Sequence, residues 1–390
     1  MNMQLATGNY AAGHSMSLAG EANRRARGVV CGIYPITPQT EIVEYVARFP
    51  FSKGRVIPVE SEHSAMGVCI GAALNGARAF TASSSNGLAY MAENIMVAAF
   101  YRLPIVMAAV NRTLGPPWNI WADQGDTLMF RDFAWVQLYC DSNQDVADTA
   151  LLAFRLAEDP RILLPVMVCM DAFIVSHTSM EIELATQEQV DRFLPPCDVP
   201  QRLNSAHPAT VGGMALPQAT LSQRLDLAEA LQRVPGVLEE HREHFRQVFG
   251  REVSGAVESY RCEDADQILI ASSTVANTVR DVVDARRAGG ERVGMIRIKM
   301  FRPFPRAEVR TLCAGAEKIG VLDRNYGADV GGLFCHEVRA SLQGQGGKLV
   351  QSYLTGVGGG DVVPDMVAEV AADLAQRSVA GEPVWKGIEA

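Results

Sequence analysis

Short unbroken apolar runs recur along the chain, separated by longer stretches with helical spacing. The runs are Val29–Pro35, Ala77–Ser83, Pro104–Asn111 and Leu163–Met170, then Gln267–Ser272, Val293–Lys299 and Lys318–Leu322. They are rich in Val, Ile and Ala and show no polar alternation, which is the pattern of strands covered on both faces. Between them, Glu62–Asn75, Gly87–Arg102 and Asp145–Glu158 read as helices. Such alternation predicts an α/β architecture of parallel sheets flanked by helices. The rhythm lapses from about residue 178 to 264, where LPPCDVP and HPATVGGMALP precede the charged LEEHREHFRQVFGREV. That composition predicts an extension or linker followed by a solvated helix. The strand–helix pattern resumes at Gln267, so a first domain is placed at 1–250, with its extension from about 178, and a second at 260–390.

With 390 residues the chain is long enough for two or three cores. Its 35 basic and 44 acidic residues leave a formal charge of −9, against the basic excess that a nucleic-acid footprint needs. The longest apolar stretch, Ile95–Val110, is interrupted by Arg102 and Pro104, so no membrane span is expected. The N-terminal MNMQLATGNYAAG lacks the basic start and apolar stretch of a secretory signal, and a cytoplasmic protein is expected. Eight cysteines are scattered without a CxxC pair, several inside apolar runs such as LLPVMVCM. Reduced, buried thiols are expected, with no metal site and no iron–sulfur cluster in this chain.

Ligands of open parallel sheets bind beyond the carboxyl ends of strands, so the segments following strands carry the candidate chemistry. In Tyr34–Glu41 (YPITPQTE) two prolines stiffen a turn around Thr37, whose hydroxyl is either presented to a ligand or used, like that of Thr40, as a helix cap. Val59–Gly67 (VESEHSAMG) opens a helix of small residues that can approach its neighbours closely. Glu62 falls at its start, either as partner of the helix dipole or as a functional carboxylate. His63 reads as a packed or exposed helix residue. Thr81–Leu88 (TASSSNGL) is a cluster of small hydroxylic residues that either admits a ligand or caps a helix. Arg112 follows a wholly apolar strand. It can clamp a carboxylate in bidentate fashion or pair with Asp123, Asp126 or Asp132. The glycine runs near Val357 and Gly327 lack a strand–helix phosphate-cradle context. The acidic and Asn residues that would hold Mg²⁺ and a diphosphate are also missing, so another subunit must hold that end of any diphosphate cofactor.

Taken together, YPITPQTEI, VESEHSAMG, TASSSNGL and NRTLGPPWNIWADQGD resemble the alpha subunit of pyruvate:ferredoxin oxidoreductase and its relatives. LPVMVCMDAFIVSHT, RFLPP, IKMFRPFP and VLDRNYG extend the resemblance over nearly the whole chain. It implies a thiamine-diphosphate-binding, pyrimidine-type domain followed by a transketolase C-terminal-like α/β domain. It implies that Glu62 hydrogen-bonds the aminopyrimidine ring of the cofactor, that Pro35 touches the cofactor through its carbonyl, that Thr37 contacts the substrate's oxygens and that Arg112 binds the substrate carboxylate. A beta subunit would hold Mg²⁺ and the diphosphate, gamma- and delta-type subunits would complete the assembly, and iron–sulfur clusters would sit in beta and delta. The implied reaction is oxidative decarboxylation of a 2-oxoacid, pyruvate by default, to an acyl-coenzyme A. Electrons would leave through the partner subunits to ferredoxin or another electron acceptor.

Three alternatives stay open. Phe130 and Phe133 either shape a pocket for phenylglyoxylate or another aryl 2-oxoacid, or repack a helix. The 2-oxoacid dehydrogenase E1-beta or transketolase type shares the implied domain order, although YPITP and the Arg112 loop argue against it. A non-catalytic docking subunit is opposed by the presence of Thr37, Glu62 and Arg112 together.

Overall fold

The computed structural model describes residues 3–199, 202–206 and 208–388. The first half supplies β1 (Met3–Ala6), β2 (Val29–Ile33), β3 (Gly54–Pro58), β4 (Arg78–Ser83), β5 (Ile105–Asn111), β6 (Val136–Cys140), β7 (Val166–Asp171) and β8 (Met180–Glu183). The second half supplies β9 (Val257–Tyr260), β10 (Gln267–Ala271), β11 (Val293–Ile298), β12 (Met300–Arg302), β13 (Lys318–Asp323), β14 (Leu349–Leu354) and β15 (Val384–Trp385). Two large sheets result, with orders β12-β6-β7-β5-β4-β2-β3 and β15-β14-β13-β10-β11-β9, while β1 and β8 form a small antiparallel ribbon. Within the large sheets every pairing is parallel except at β12 and β9. The apolar strands β4, β5, β6 and β7 are buried along their whole length, as strands covered by helices on both faces must be.

Two expected helices take a different form. The stretch expected as Gly87–Arg102 is two helices, Ser85–Tyr90 and Ala92–Phe100, broken at Met91. The charged helix near the middle spans Pro217–Phe249 and is not solvated all round: Leu227, Ala230, Val234, Val237, Leu238, His241, Phe245 and Phe249 are buried. Their three- and four-residue spacing lays one stripe of an otherwise polar helix on the core. Its arginines and glutamates occupy the other faces.

The halves are joined at the strand end of IKMFRPFP. After β11 the chain crosses to the first sheet, where β12 pairs antiparallel with β6, Met300 opposite Leu138 and Arg302 opposite Gln137. At the crossing, Arg297 and Lys299 are both 2% exposed or less. Lys299 Nζ donates to Asp145 Oδ1 at 2.6 Å and to Thr149 Oγ1 at 2.8 Å. Arg297 lies 2.9 Å from Asp141 Oδ2 and also donates to Asp145. Burial alone would push the Asp145 carboxyl up, but Lys299 and Arg297 hold it below the usual carboxylate range. All eight cysteines are free and buried. No helix among the described residues is long and apolar enough to cross a membrane.

Candidate active site at the carboxyl edge of the first sheet

The loops leaving β2, β4 and β5 meet at one edge of the first sheet. The β2 loop is held by Gln39 from within its own turn and by Asn9 and Arg112 from outside it. Gln39 Nε2 donates to Tyr34 O at 2.8 Å, Asn9 Nδ2 to Pro38 O at 2.7 Å, and Arg112 Nη1 to Thr37 O at 2.5 Å. Pro35 and Thr37 are exposed on this braced loop. The following helix, Thr40–Arg48, begins after Gln39 without a side-chain cap, so neither Thr37 nor Thr40 serves as its cap.

Glu62 is the first residue of the helix Glu62–Leu74, capped by Ser61, whose Oγ accepts from Ser64 N at 3.2 Å. This helix crosses β2 so closely that a Cβ on Gly32 would lie 2.1 Å from Ala65 O. The close approach runs through Gly32 and Ala65, while Gly67 and Gly71 of the same helix are exposed. Glu62 is 7% exposed and faces Gly87, where a Cβ would fall 2.7 Å from Glu62 Oε1 and 2.6 Å from Ser83 Oγ. Among the described residues no group hydrogen-bonds the Glu62 carboxylate, and the buried hydroxyls of Ser83 and Ser84 have no partner. A largely buried carboxylate and the unspent Ser83 hydroxyl beside a position without a side chain suit a flat polar ring that carries its own donors, which fits an aminopyrimidine. His63 is half-buried beside Tyr90, with Glu93 3.8 Å away.

Arg112 leaves β5 with 6% exposure. Its guanidinium pairs with none of Asp123, Asp126 or Asp132, and bonds the Thr37 carbonyl instead. Burial draws Arg112 below its ordinary value, and the charges of Asp126 and Glu62 oppose that, so the arginine feels Glu62 directly. Its Nε has no partner among the described residues. The structure thus brings Thr37 and Arg112 into contact and sets Glu62 within their electrostatic reach, with Pro35 on the same loop.

The Thr81–Leu88 cluster and Asp126 complete the site in roles that the sequence did not distinguish. Asp126 Oδ2 accepts from Ser85 N at 2.9 Å and Arg112 N at 3.0 Å, and Oδ1 accepts from Asn111 Nδ2 at 2.8 Å. Asn86 exchanges hydrogen bonds with Gly115, and Ser85 Oγ donates to Thr113 O at 2.6 Å. The loop from Thr113 to Trp121 rests on the second half: Asn119 Nδ2 donates to Gly358 O at 2.9 Å, Gly358 N to Asp123 Oδ2 at 2.8 Å, and Gln124 N to Arg324 O at 3.0 Å. The glycine run near Val357 is therefore the seat of this loop. Gly359 lies so near Trp121 that a Cβ there would be 2.1 Å from Trp121 Cβ. Phe130 is buried in the core, and Phe133 packs on it with ring centroids 6.0 Å apart.

A parallel sheet presenting a buried glutamate and an arginine-braced proline loop at its carboxyl edge, followed by a second parallel sheet, defines the pyrimidine-type and transketolase C-terminal-like halves of a thiamine-diphosphate enzyme fold. Two solved structures share it. One is 2-oxoglutarate:ferredoxin oxidoreductase from Magnetococcus marinus, with 2-oxoglutarate, coenzyme A and succinyl-CoA bound (TM-score 0.74, 20% identity, 96% of this chain and 66% of that one). The other is a split-gene transketolase described as an inactive beta4 tetramer (TM-score 0.56, 12% identity, 94% of this chain and 97% of that one). A family model described as pyruvate flavodoxin/ferredoxin oxidoreductase, thiamine diP-bdg, matches residues 21–243, and one described as pyruvate:ferredoxin oxidoreductase core domain II matches residues 265–367. The pyruvate synthase subunit PorA of Methanothermobacter thermautotrophicus is 41% identical over 95% of this chain and 96% of its own length. The ketoisovalerate oxidoreductase subunit VorA of Pyrococcus abyssi is 39% identical over 95% and 93%. The chain belongs to the alpha subunits of the 2-oxoacid:ferredoxin oxidoreductases.

Proposed function

We propose that this chain is the alpha subunit of a multi-subunit, coenzyme A-acylating 2-oxoacid oxidoreductase acting on pyruvate. The observation that carries the reading is the convergence of Thr37, Glu62 and Arg112 at one sheet edge. Thiamine diphosphate, when bound, would supply the electron sink for loss of carbon dioxide from the 2-oxoacid. Glu62 would hold the proton shared with a ring nitrogen of the pyrimidine, from a buried position that keeps water from competing for it. The Pro35 carbonyl would accept from the same ring. Arg112, with one amino group committed to Thr37 O, would turn its remaining donors to the substrate carboxylate. The Thr37 hydroxyl, free of capping duty, would donate to a substrate oxygen.

The rest of the active site belongs to partner subunits in this reading. A beta subunit would bring Mg²⁺ and the diphosphate end, and beta- and delta-type subunits the iron–sulfur clusters. A gamma-type subunit completes the assembly, with ferredoxin as acceptor. The division of the chain at 250–260 is part of the same proposal. The VorA relatives make a branched 2-oxoacid the competing substrate, so initial rates on pyruvate, 2-oxoisovalerate, 2-oxoglutarate and phenylglyoxylate decide the specificity. Glu62→Gln keeps the shape of the side chain and removes the carboxylate. It is expected to lower turnover of the assembled complex by at least 100-fold on the scale of lost acid–base catalysis, about 10²–10⁴, with subunit assembly unchanged on size exclusion. Wild-type turnover in that variant would refute the assignment.

A further inference from the structure

We propose that Asp126 is a positioning residue that holds the backbone of Arg112 against the loop flooring Glu62, and so sets where the substrate carboxylate is clamped. This rests on the reading of Arg112 given above and adds a residue that does not itself touch the substrate.

Three observations carry it. Asp126 is 0% exposed, yet among the described residues no lysine or arginine side chain hydrogen-bonds its carboxyl group, which is met by N–H donors instead. Two of these are backbone groups from different loops, Ser85 N after β4 and Arg112 N after β5, and both reach the same oxygen, Oδ2. One atom thus fixes the separation of the two loops. Ser85 is held at φ 50°, a left-handed conformation that a non-glycine residue keeps only when its surroundings enforce it, and its N–H on Asp126 is one such constraint.

The carboxylate is itself anchored from behind. Asn111 Nδ2 donates to Asp126 Oδ1 and also to Thr127 Oγ1 at 2.7 Å, and Thr127 Oγ1 is 2.8 Å from Tyr139 OH. Every member of this chain is buried. Three N–H groups converge on two oxygens, which a carboxyl group offers and an amide, with a nitrogen in place of one of them, does not. Asparagine at 126 can still accept from Ser85 and Arg112, but it turns its NH₂ toward that of Asn111. The loops stay near one another and lose the sharper hold of a charged acceptor.

The test uses Asp126→Asn, Arg112→Ala and the double variant in the assembled oxidoreductase. Asp126→Asn is expected to raise the KM for the 2-oxoacid roughly tenfold, within the range expected of a misplaced clamp, with kcat changed far less. The double variant is expected to be no worse than Arg112→Ala alone, because a residue acting through Arg112 adds nothing once the guanidinium is gone. Hydrogen exchange of the Ser85 and Arg112 amides in Asp126→Asn should be faster than in the wild type. Additive losses in the double variant, or unchanged KM and exchange in Asp126→Asn, would overturn the proposal. An unchanged KM in Arg112→Ala instead removes Arg112 from the substrate clamp, and Asp126's hold on the two loops is then judged by exchange alone.

Discussion

At the scale of single residues, the site sets buried charge against N–H donors. Burial pushes the Asp126 carboxyl up to about 7, only partly opposed by the Arg112 and Ser85 amides and by Asn111. The charged or titratable groups that act on it are Asp123, Arg112, Tyr139 and Cys169. A carboxyl raised above its ordinary value contributes stability in its protonated state, and that contribution is lost as pH rises through about 7. The melting temperature is therefore expected to fall between about pH 4 and pH 7, and Asp126→Asn should flatten part of that fall. Parallel melting curves of variant and wild type would exclude Asp126 as the titrating group. Glu62 and Arg112 could be found in the sequence because each stands where an apolar stretch ends. Asp126 could be seen there only as a candidate ion-pair partner, since neither composition nor spacing reveals that a carboxylate takes backbone hydrogens from two separate loops.

At the scale of elements, apolar strands buried on both faces were legible, whereas short ones and buried ones that carry polar residues, β6 with Gln137 and β14 among them, were not. β2, β4, β5, β7, β10, β11 and β13 each lie in an apolar run. β14 carries Gln351 and Ser352, both buried, so its burial leaves no apolar trace in the sequence. β12 is three residues long, and its pairing depends on where the chain turns after β11. The glycine run at 356–360 was equally opaque, because its use is a contact with a loop more than two hundred residues earlier. Gly359 has φ +94° and no room for a Cβ beside Trp121. Gly359→Ala should thus lower stability by about 1–3 kcal/mol, the usual cost of overpacking, and raise the 2-oxoacid KM by displacing the Thr113–Trp121 loop. Denaturant unfolding together with steady-state kinetics checks both, and a variant with wild-type stability would show that the loop is not seated there.

At the scale of the whole molecule, the two sheets are mutually dependent. β12 covers the β6 edge of the first sheet, and the buried Arg297–Asp145–Lys299 cluster ties the crossing strand to the helix Asn143–Ala157. A fragment of residues 1–250 would carry β6 as an open edge and leave Asp145 buried without its two cations. Unpaired edges template association, and an uncompensated buried charge destabilises by about 3–5 kcal/mol. That fragment is expected to self-associate and to lose cooperative melting, as sedimentation and calorimetry would show. A monomer with a sharp transition would mean that the first sheet stands without β12.

The same strand has a consequence in time. A nascent chain leaves the ribosome N-terminus first, so β7 emerges well before Met300–Arg302. At about 5–20 residues per second, roughly ten seconds pass in which the central strands exist and their last neighbour has not been made. During that interval the β6 margin is the molecule's most vulnerable surface, and shielding by a chaperone matters more there than for a protein whose sheets close in the order of synthesis.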